Sequence, residues 1–170
     1  PYADRGGVDQ IAQGLGGMMS VTGIPGQGPV RAGVAISDIT AGLQLAVGIL
    51  VALHERKRTG RGRYVTTSLL ESMIGMLDFQ AARFTVAGEV PPQAGNDHPT
   101  LGPMGMYATR DGHMNLAAPW GRMWSALCEI LERPELENDP RFATANDRAL
   151  NRAALNIELE TALAPRTTED

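Results

Sequence analysis

The chain has 170 residues, 43% of them hydrophobic and 20% charged, which is enough apolar chain to build a core and too much for intrinsic disorder. A net charge of −4, with five of its 15 basic residues crowded between Arg56 and Arg63, supplies no broad positive field and excludes nucleic acid as a natural partner. The single Cys128 excludes an intramolecular disulfide framework, and with only His54, His98 and His113 beside it no metal site is expected; a reducing cytoplasm fits best.

Residues 1 to 20 carry Ile11, Leu15, Met18 and Met19 at helical spacing, but Gly14, Gly16 and Gly17 weaken any helix there and point to close packing. Thr22 to Pro29 is turn chemistry. A strong helix begins at Ser37 and is basic at its end, before Gly60 and Gly62 stop it, an arrangement that suits the helix dipole. Its apolar run, Ala41 to Leu53, covers 13 residues and is interrupted by Gln44. Because spanning a bilayer takes about 20 residues, a buried core helix is predicted and no membrane is expected as a partner.

Tyr64 to Thr67 reads as a short strand, and Leu69 to Val86 resumes a helical period. Residues 87 to 103 hold Pro91, Pro92, Gly95, Pro99, Gly102 and Pro103 and form a long loop of the kind that often carries function. Met106 to Thr109 and Met114 to Ala117 flank Asp111-Gly112, a strong hairpin signal. Trp120 to Glu132 and Ala145 to Ala164 read as two amphipathic helices, the first closed off by Pro134. The expected division is therefore 1–90, helical and apolar; 91–103, linker or mobile loop; and 104–170, a hairpin with polar-faced helices. The chain opens on Pro1 without a Met and closes on Thr167-Thr168-Glu169-Asp170, which resembles a helix start, so it reads as an internal fragment.

Asp38 is the first candidate for chemistry, placed directly after Ser37 at the head of the most apolar helix. A first-turn acid satisfies free backbone N–H groups, whereas a carboxylate at the mouth of a site attacks activated acyl groups; position alone does not separate the two. The basic stretch Arg56 to Arg63 lacks the Gly-x-x-x-x-Gly-Lys-Ser/Thr pattern and follows a helix, so it reads as a solvated helix end and not a phosphate loop. Glu71 near the start of its helix reads as a first-turn acid or as a partner of Asp38. His98, between Asp97 and Pro99, is either a surface histidine or a loop acid–base.

The blocks PYADRGGVDQIAQGLGGMMSVTG, GVAISDITAGLQLAVGILVALHERKRTGRGRYVTTSLLES, GNDHPTLGPMGMYATRDGHMNLAA and RPELENDPRFATANDRALNR occur in an order that closely resembles the family III CoA-transferases, which include formyl-CoA and carnitine CoA-transferases. The resemblance implies an α/β fold: part of a doubly wound large domain, then the start of a smaller α+β domain, in an interlocked homodimer about twice this length per chain. It implies transfer of CoA between an acyl-CoA and a carboxylic acid, with coenzyme A as co-substrate and no permanently bound cofactor. Asp38 matches the family nucleophile, which forms an aspartyl anhydride and then an aspartyl-CoA thioester. Arg5, Gly6, Gly7 and Val8 match positions that contact CoA, and the loop carrying His98 and Gly102 resembles the mobile loop that closes over the intermediate. The related α-methylacyl-CoA racemases place a His where this chain has Val8 and a Glu near Trp120; neither Val nor Trp relays protons, so transfer is favoured over racemisation. A non-catalytic fragment that keeps only the fold is the third reading.

Overall fold

The structure, a computed structural model, describes residues 6–170, which fall into two compact units, one ending at Gly95 and the other running Asn96–Asp170. The division lies inside the proline-rich stretch. The described residues are mostly helical, and their one sheet is a two-stranded antiparallel hairpin. The fold is thus α/β in content, and no strand of a doubly wound sheet occurs among the described residues.

The first unit contains α1 (Asp9–Leu15), α2 (Met18–Val21), α3 (Ile36–Thr59), α4 (Leu69–Met76) and α5 (Phe79–Ala87). The Gly16-Gly17 pair separates α1 from α2, with Gly17 at φ +86°, a conformation that costs glycine little. Gly16 also lets two helices touch: a Cβ there would lie 2.5 Å from the Met73 Cβ and 2.9 Å from the Ala12 carbonyl oxygen. Among the described residues of this unit the buried ones are small or polar, namely Ala12, Gln13, Gly16, Ser37, Ala41 and Ser72, with Met73 the large exception.

Three expectations are corrected here. Tyr64 to Thr67 forms no strand, because a strand needs a ladder partner and Tyr64 is 94% exposed. The stretch 69–86 is two helices, broken at Asp78, whose φ is +48°. Helix α3 packs against α1 and α4 but buries only Ser37 and Ala41, leaving Leu43, Val47, Leu50 and Val51 exposed within this chain. It is not a core helix of the unit as it stands. At 24 residues α3 is long and apolar enough, by length and composition alone, to cross a membrane.

The second unit holds β1 (Met104–Ala108), β2 (His113–Ala117), α6 (Gly121–Ile130), a 3₁₀ turn (Pro134–Asn138), α7 (Ala145–Leu150) and α8 (Arg152–Leu163). The hairpin pairs Met104 with Ala117 and Ala108 with His113, as Asp111-Gly112 predicts. Its apolar core joins Tyr107, Trp124, Leu127, Leu131, Phe142 and the α8 stripe Leu155, Leu159 and Leu163, which recurs every four residues. The single helix expected from Ala145 to Ala164 is interrupted at Asn151, whose side chain donates to the carbonyls of Arg141 and Asp147. Thr144 opens α7 with a capping box to Asp147.

Candidate functional site

The head of α3 is built by residues from two other segments. Its N-cap is Ala35, which has no side-chain acceptor and sits at φ −74°, ψ 66°. With the Ile36 N–H donating to the Val34 carbonyl at 2.8 Å, this is an inverse γ-turn. A helix start leaves its first N–H groups without intrahelical acceptors, and α1 supplies what Ala35 does not. Asp9 Oδ1 accepts from the Ser37 N–H at 2.9 Å and from the Ser37 hydroxyl at 2.8 Å.

Gln13, one turn along α1 and fully buried, completes the grip. Its Nε2 donates to Asp9 Oδ2 at 2.7 Å and to the Val34 carbonyl at 3.3 Å, while its Oε1 accepts from the Ala32 N–H at 2.8 Å. Asp9 and Gln13 thus clamp residues 32–37 from one face of α1. Partial burial pushes the Asp9 carboxyl upward, but the hydrogen bonds from Ser37 and Gln13 and the nearby Arg31 charge outweigh it and hold the group below its ordinary value of 3.8.

Asp38 follows directly, in the first turn of α3 and exposed. Among the described residues nothing donates to its carboxylate. Asp9 takes the capping duty that was one of two sequence readings of Asp38, so the Asp38 oxygens stay available. Asp9 and Gln13 were not singled out by sequence. The signal was an acid and an amide four residues apart on a short, glycine-rich helix, a spacing that places both on one face.

The other candidates are dispersed. Arg5 lies outside the described residues. Gly6, Gly7 and Val8 are exposed ahead of α1, with open space around the two glycines. Glu71 is taken up by Ser68, which caps α4 by accepting from the Glu71 N–H at 3.1 Å. At the end of α3, Arg63 grips Glu55 at 2.5 and 2.7 Å. His54 and His113 are both exposed. No group of three or more His, Cys, Asp or Glu is placed to hold a metal ion among the described residues.

In the second unit, the segment carrying His98 and Gly102 is tied down by side chains of α7 and α8. The His98 carbonyl accepts from Arg152, and its Nδ1 accepts from the N–H groups of Thr100 at 3.3 Å and Leu101 at 3.2 Å. Asp97 accepts from Asn156 at 3.1 Å, and Asn156 accepts from the Tyr107 hydroxyl at 3.2 Å. Burial foremost, then the Asp97 charge, raises that phenol well above its ordinary range. The Gly102 carbonyl accepts from the buried Arg148 at 3.1 Å.

The sequence model of "CoA-transferase family III" matches residues 1–170. A succinyl-CoA:mesaconate CoA-transferase of Haloarcula marismortui is 40% identical over 151 residues, which are 89% of this chain and 38% of that protein. A succinate–glutarate CoA-transferase of Agrobacterium fabrum is 34% identical over 161 residues, 95% of this chain and 40% of its own length. Among solved structures, a CAIB/BAIF family protein from Brucella suis superposes with a TM-score of 0.82 at 38% identity, over 100% of this chain and 45% of that one. The chain therefore spans about two-fifths of the length of these curated relatives.

Proposed function

The chain belongs to CoA-transferase family III, and from that premise we propose that the full-length protein transfers CoA from an acyl-CoA to a carboxylic acid with Asp38 as nucleophile. One observation carries the assignment of Asp38: its carboxylate is exposed and accepts no hydrogen bond among the described residues, on a helix turn whose capping is done by Asp9. An attacking oxygen needs a free lone pair, and the capped turn leaves the Asp38 lone pairs free while holding the backbone that carries them.

In the proposed sequence an Asp38 oxygen adds to the thioester carbonyl and the C–S bond breaks, giving a mixed anhydride and CoA thiolate. The thiolate attacks the aspartyl carbonyl, expels the donor acid and leaves an aspartyl-CoA thioester. The acceptor carboxylate then displaces the thiolate, which attacks the acceptor acyl carbon and restores Asp38. Relatives at 34 to 40% identity carry succinate, mesaconate and glutarate in their names, and we infer short dicarboxylic acids as the substrate class here. Coenzyme A serves as co-substrate, with Gly6, Gly7 and Val8 as contacts. In the same proposal the full-length protein is a cytoplasmic homodimer with a doubly wound large domain to which residues up to Gly95 contribute.

The racemase alternative requires proton-relaying side chains where this chain has Val8 and Trp120, and neither titrates. The test is chemical. Full-length protein is incubated with succinyl-CoA, trapped with hydroxylamine or borohydride, and mapped by mass spectrometry. Modification at Asp38, abolished in Asp38→Asn, is expected; an active enzyme with Asp38 unmodified would sink the assignment, and α-deuterium exchange without CoA transfer would favour racemisation.

A further inference from the structure

The contacts around the first turn of α3 ask why a helix start should be capped from another helix. Its own N-cap position is Ala35, which has no acceptor. A carboxylate at the third helical position, where Asp38 stands, is itself a natural partner for free N–H groups at a helix start. Left alone, Asp38 would be drawn back onto its own backbone. The Asp9 carboxylate occupies the Ser37 N–H and hydroxyl, and the Ile36 N–H is already spent on the Val34 carbonyl, which leaves fewer donors at this turn to draw Asp38 back.

We propose that Asp9 is a positioning residue for the reaction: by capping α3 through Ser37 it fixes the turn that carries Asp38 and keeps that carboxylate free to attack. This rests on the reading of Asp38 as nucleophile. Four observations support it. Ser37 and Gln13, the two side chains that Asp9 bonds, are each 0% exposed, and shielding from water strengthens such hydrogen bonds. Both Asp9 oxygens are engaged, one by Ser37 and the other by Gln13, so Asp9 is itself held in orientation. Gln13 also holds Ala32 and Val34, so the clamp fixes the turn before the helix as well as its first residues. The charged neighbour of Asp9 is Arg31, which favours the ionised acceptor that a charge-assisted cap requires.

The role predicts a particular kinetic pattern. A misplacement of about 1 Å at a reacting group costs on the order of 10²-fold in rate, and substrate binding by other residues is unaffected. In the full-length protein, Asp9→Ala should lower kcat for succinyl-CoA by about 100-fold with KM within about twofold, and slow trapping at Asp38 in parallel. Asp9→Asn keeps one acceptor oxygen for Ser37 but lacks the charge and the acceptor for Gln13, so its kcat should recover to within about tenfold of wild type. Ser37→Ala removes the hydroxyl and retains the backbone N–H, and should cost only a few-fold.

Wild-type kcat in both Asp9 variants would overturn the proposal, as would losses divided equally between kcat and KM. Should Asp9→Ala fail to fold, the near-isosteric Asp9→Asn decides the matter: unchanged kcat refutes positioning, and a several-fold fall at constant KM supports it. Trapping on the wild-type protein separates the two ideas. Label absent from Asp38 removes the nucleophile reading and this one with it, whereas normal label at Asp38 in the Asp9 variants removes this one alone.

Discussion

Replacing Arg148 by Met tests how the second unit holds the segment carrying His98 and Gly102. The guanidinium is 2% exposed and has no carboxylate partner within ion-pair distance among the described residues. It donates to three carbonyls instead: Gly102 at 3.1 Å, Phe142 at 2.7 Å and Pro119 at 2.8 Å, with its plane over the Trp124 ring at 5.0 Å. Methionine fills much of the space but leaves three buried acceptors unpaired, at about 1–3 kcal/mol each. Against this, the desolvation cost of burying the cation, several kcal/mol in effective terms, disappears. Three acceptors at the middle of that range cost about 6 kcal/mol, and with about 4 kcal/mol of desolvation relieved the net loss is roughly 2 kcal/mol.

Hydrogen exchange in the full-length protein reads that loss locally at the His98 amide, bonded to the Met104 carbonyl at 2.8 Å, and the Ala118 amide, bonded to the Pro103 carbonyl at 2.9 Å. Both should exchange about 30-fold faster, at tenfold per 1.4 kcal/mol. Arg148→Lys, able to reach one carbonyl at a time, should fall between. Acceleration below about threefold at both amides would mean that Arg148 does not anchor the segment.

Gly16→Ala places a Cβ 2.5 Å from the Met73 Cβ, well inside the carbon–carbon contact distance, and should destabilise the first unit by about 1–3 kcal/mol in thermal unfolding. Leu159→Ala, at a 0% exposed core position, should cost about 2–5 kcal/mol by denaturant unfolding. The lowered Asp9 carboxyl gives stability that is complete above its unfolded value and lost as pH falls through the lower folded one. Protection of the Ala32 amide, held by Gln13, should therefore fade in acid below about pH 4, and at a higher pH in Ser37→Ala, where Asp9 has lost a donor. Residues 1–170 alone should neither bind CoA tightly nor turn over acyl-CoA by a thiol-release or exchange assay.

Features legible in the sequence were those written in local chemistry. Asp111-Gly112 between two strand-like runs located the hairpin, and the apolar period from Ser37 to Gly60 located α3. What escaped notice depends on residues far apart in the chain. The clamp on α3 joins Asp9 to Ser37 across 28 positions, and His98 is held by Arg152 across 54, distances at which periodicity carries no information. Tyr64 to Thr67 shows the reverse failure: its β propensity is real, but propensity makes a strand only where a neighbour offers a ladder. The breaks at Asp78 and Asn151 fall where hydrophobic period continues unbroken, because a period records which face is buried and not whether the backbone turns.

At the candidate site the same distinction decides how much Asp38 can be credited with. An aspartate in a first helical turn is ordinarily explained by its backbone, and an acid that accepts capping bonds has its lone pairs engaged by N–H groups. Here Asp9, half-buried, accepts those bonds from Ser37, while Asp38, the residue after Ser37, stands exposed. Two acids beside one helix start thus divide their roles, one satisfying the backbone and the other keeping its oxygens free. That division has no structural advantage over a Ser or Asp at position 35, which would cap α3 directly. It has a chemical one: it holds the turn that carries a carboxylate without occupying the carboxylate's oxygens. An anhydride formed on an exposed oxygen would be open to water, so the proposed reaction also needs that oxygen covered during turnover. This chain spans only 38% of the Haloarcula relative, and the cover is proposed to come from the rest of the full-length dimer.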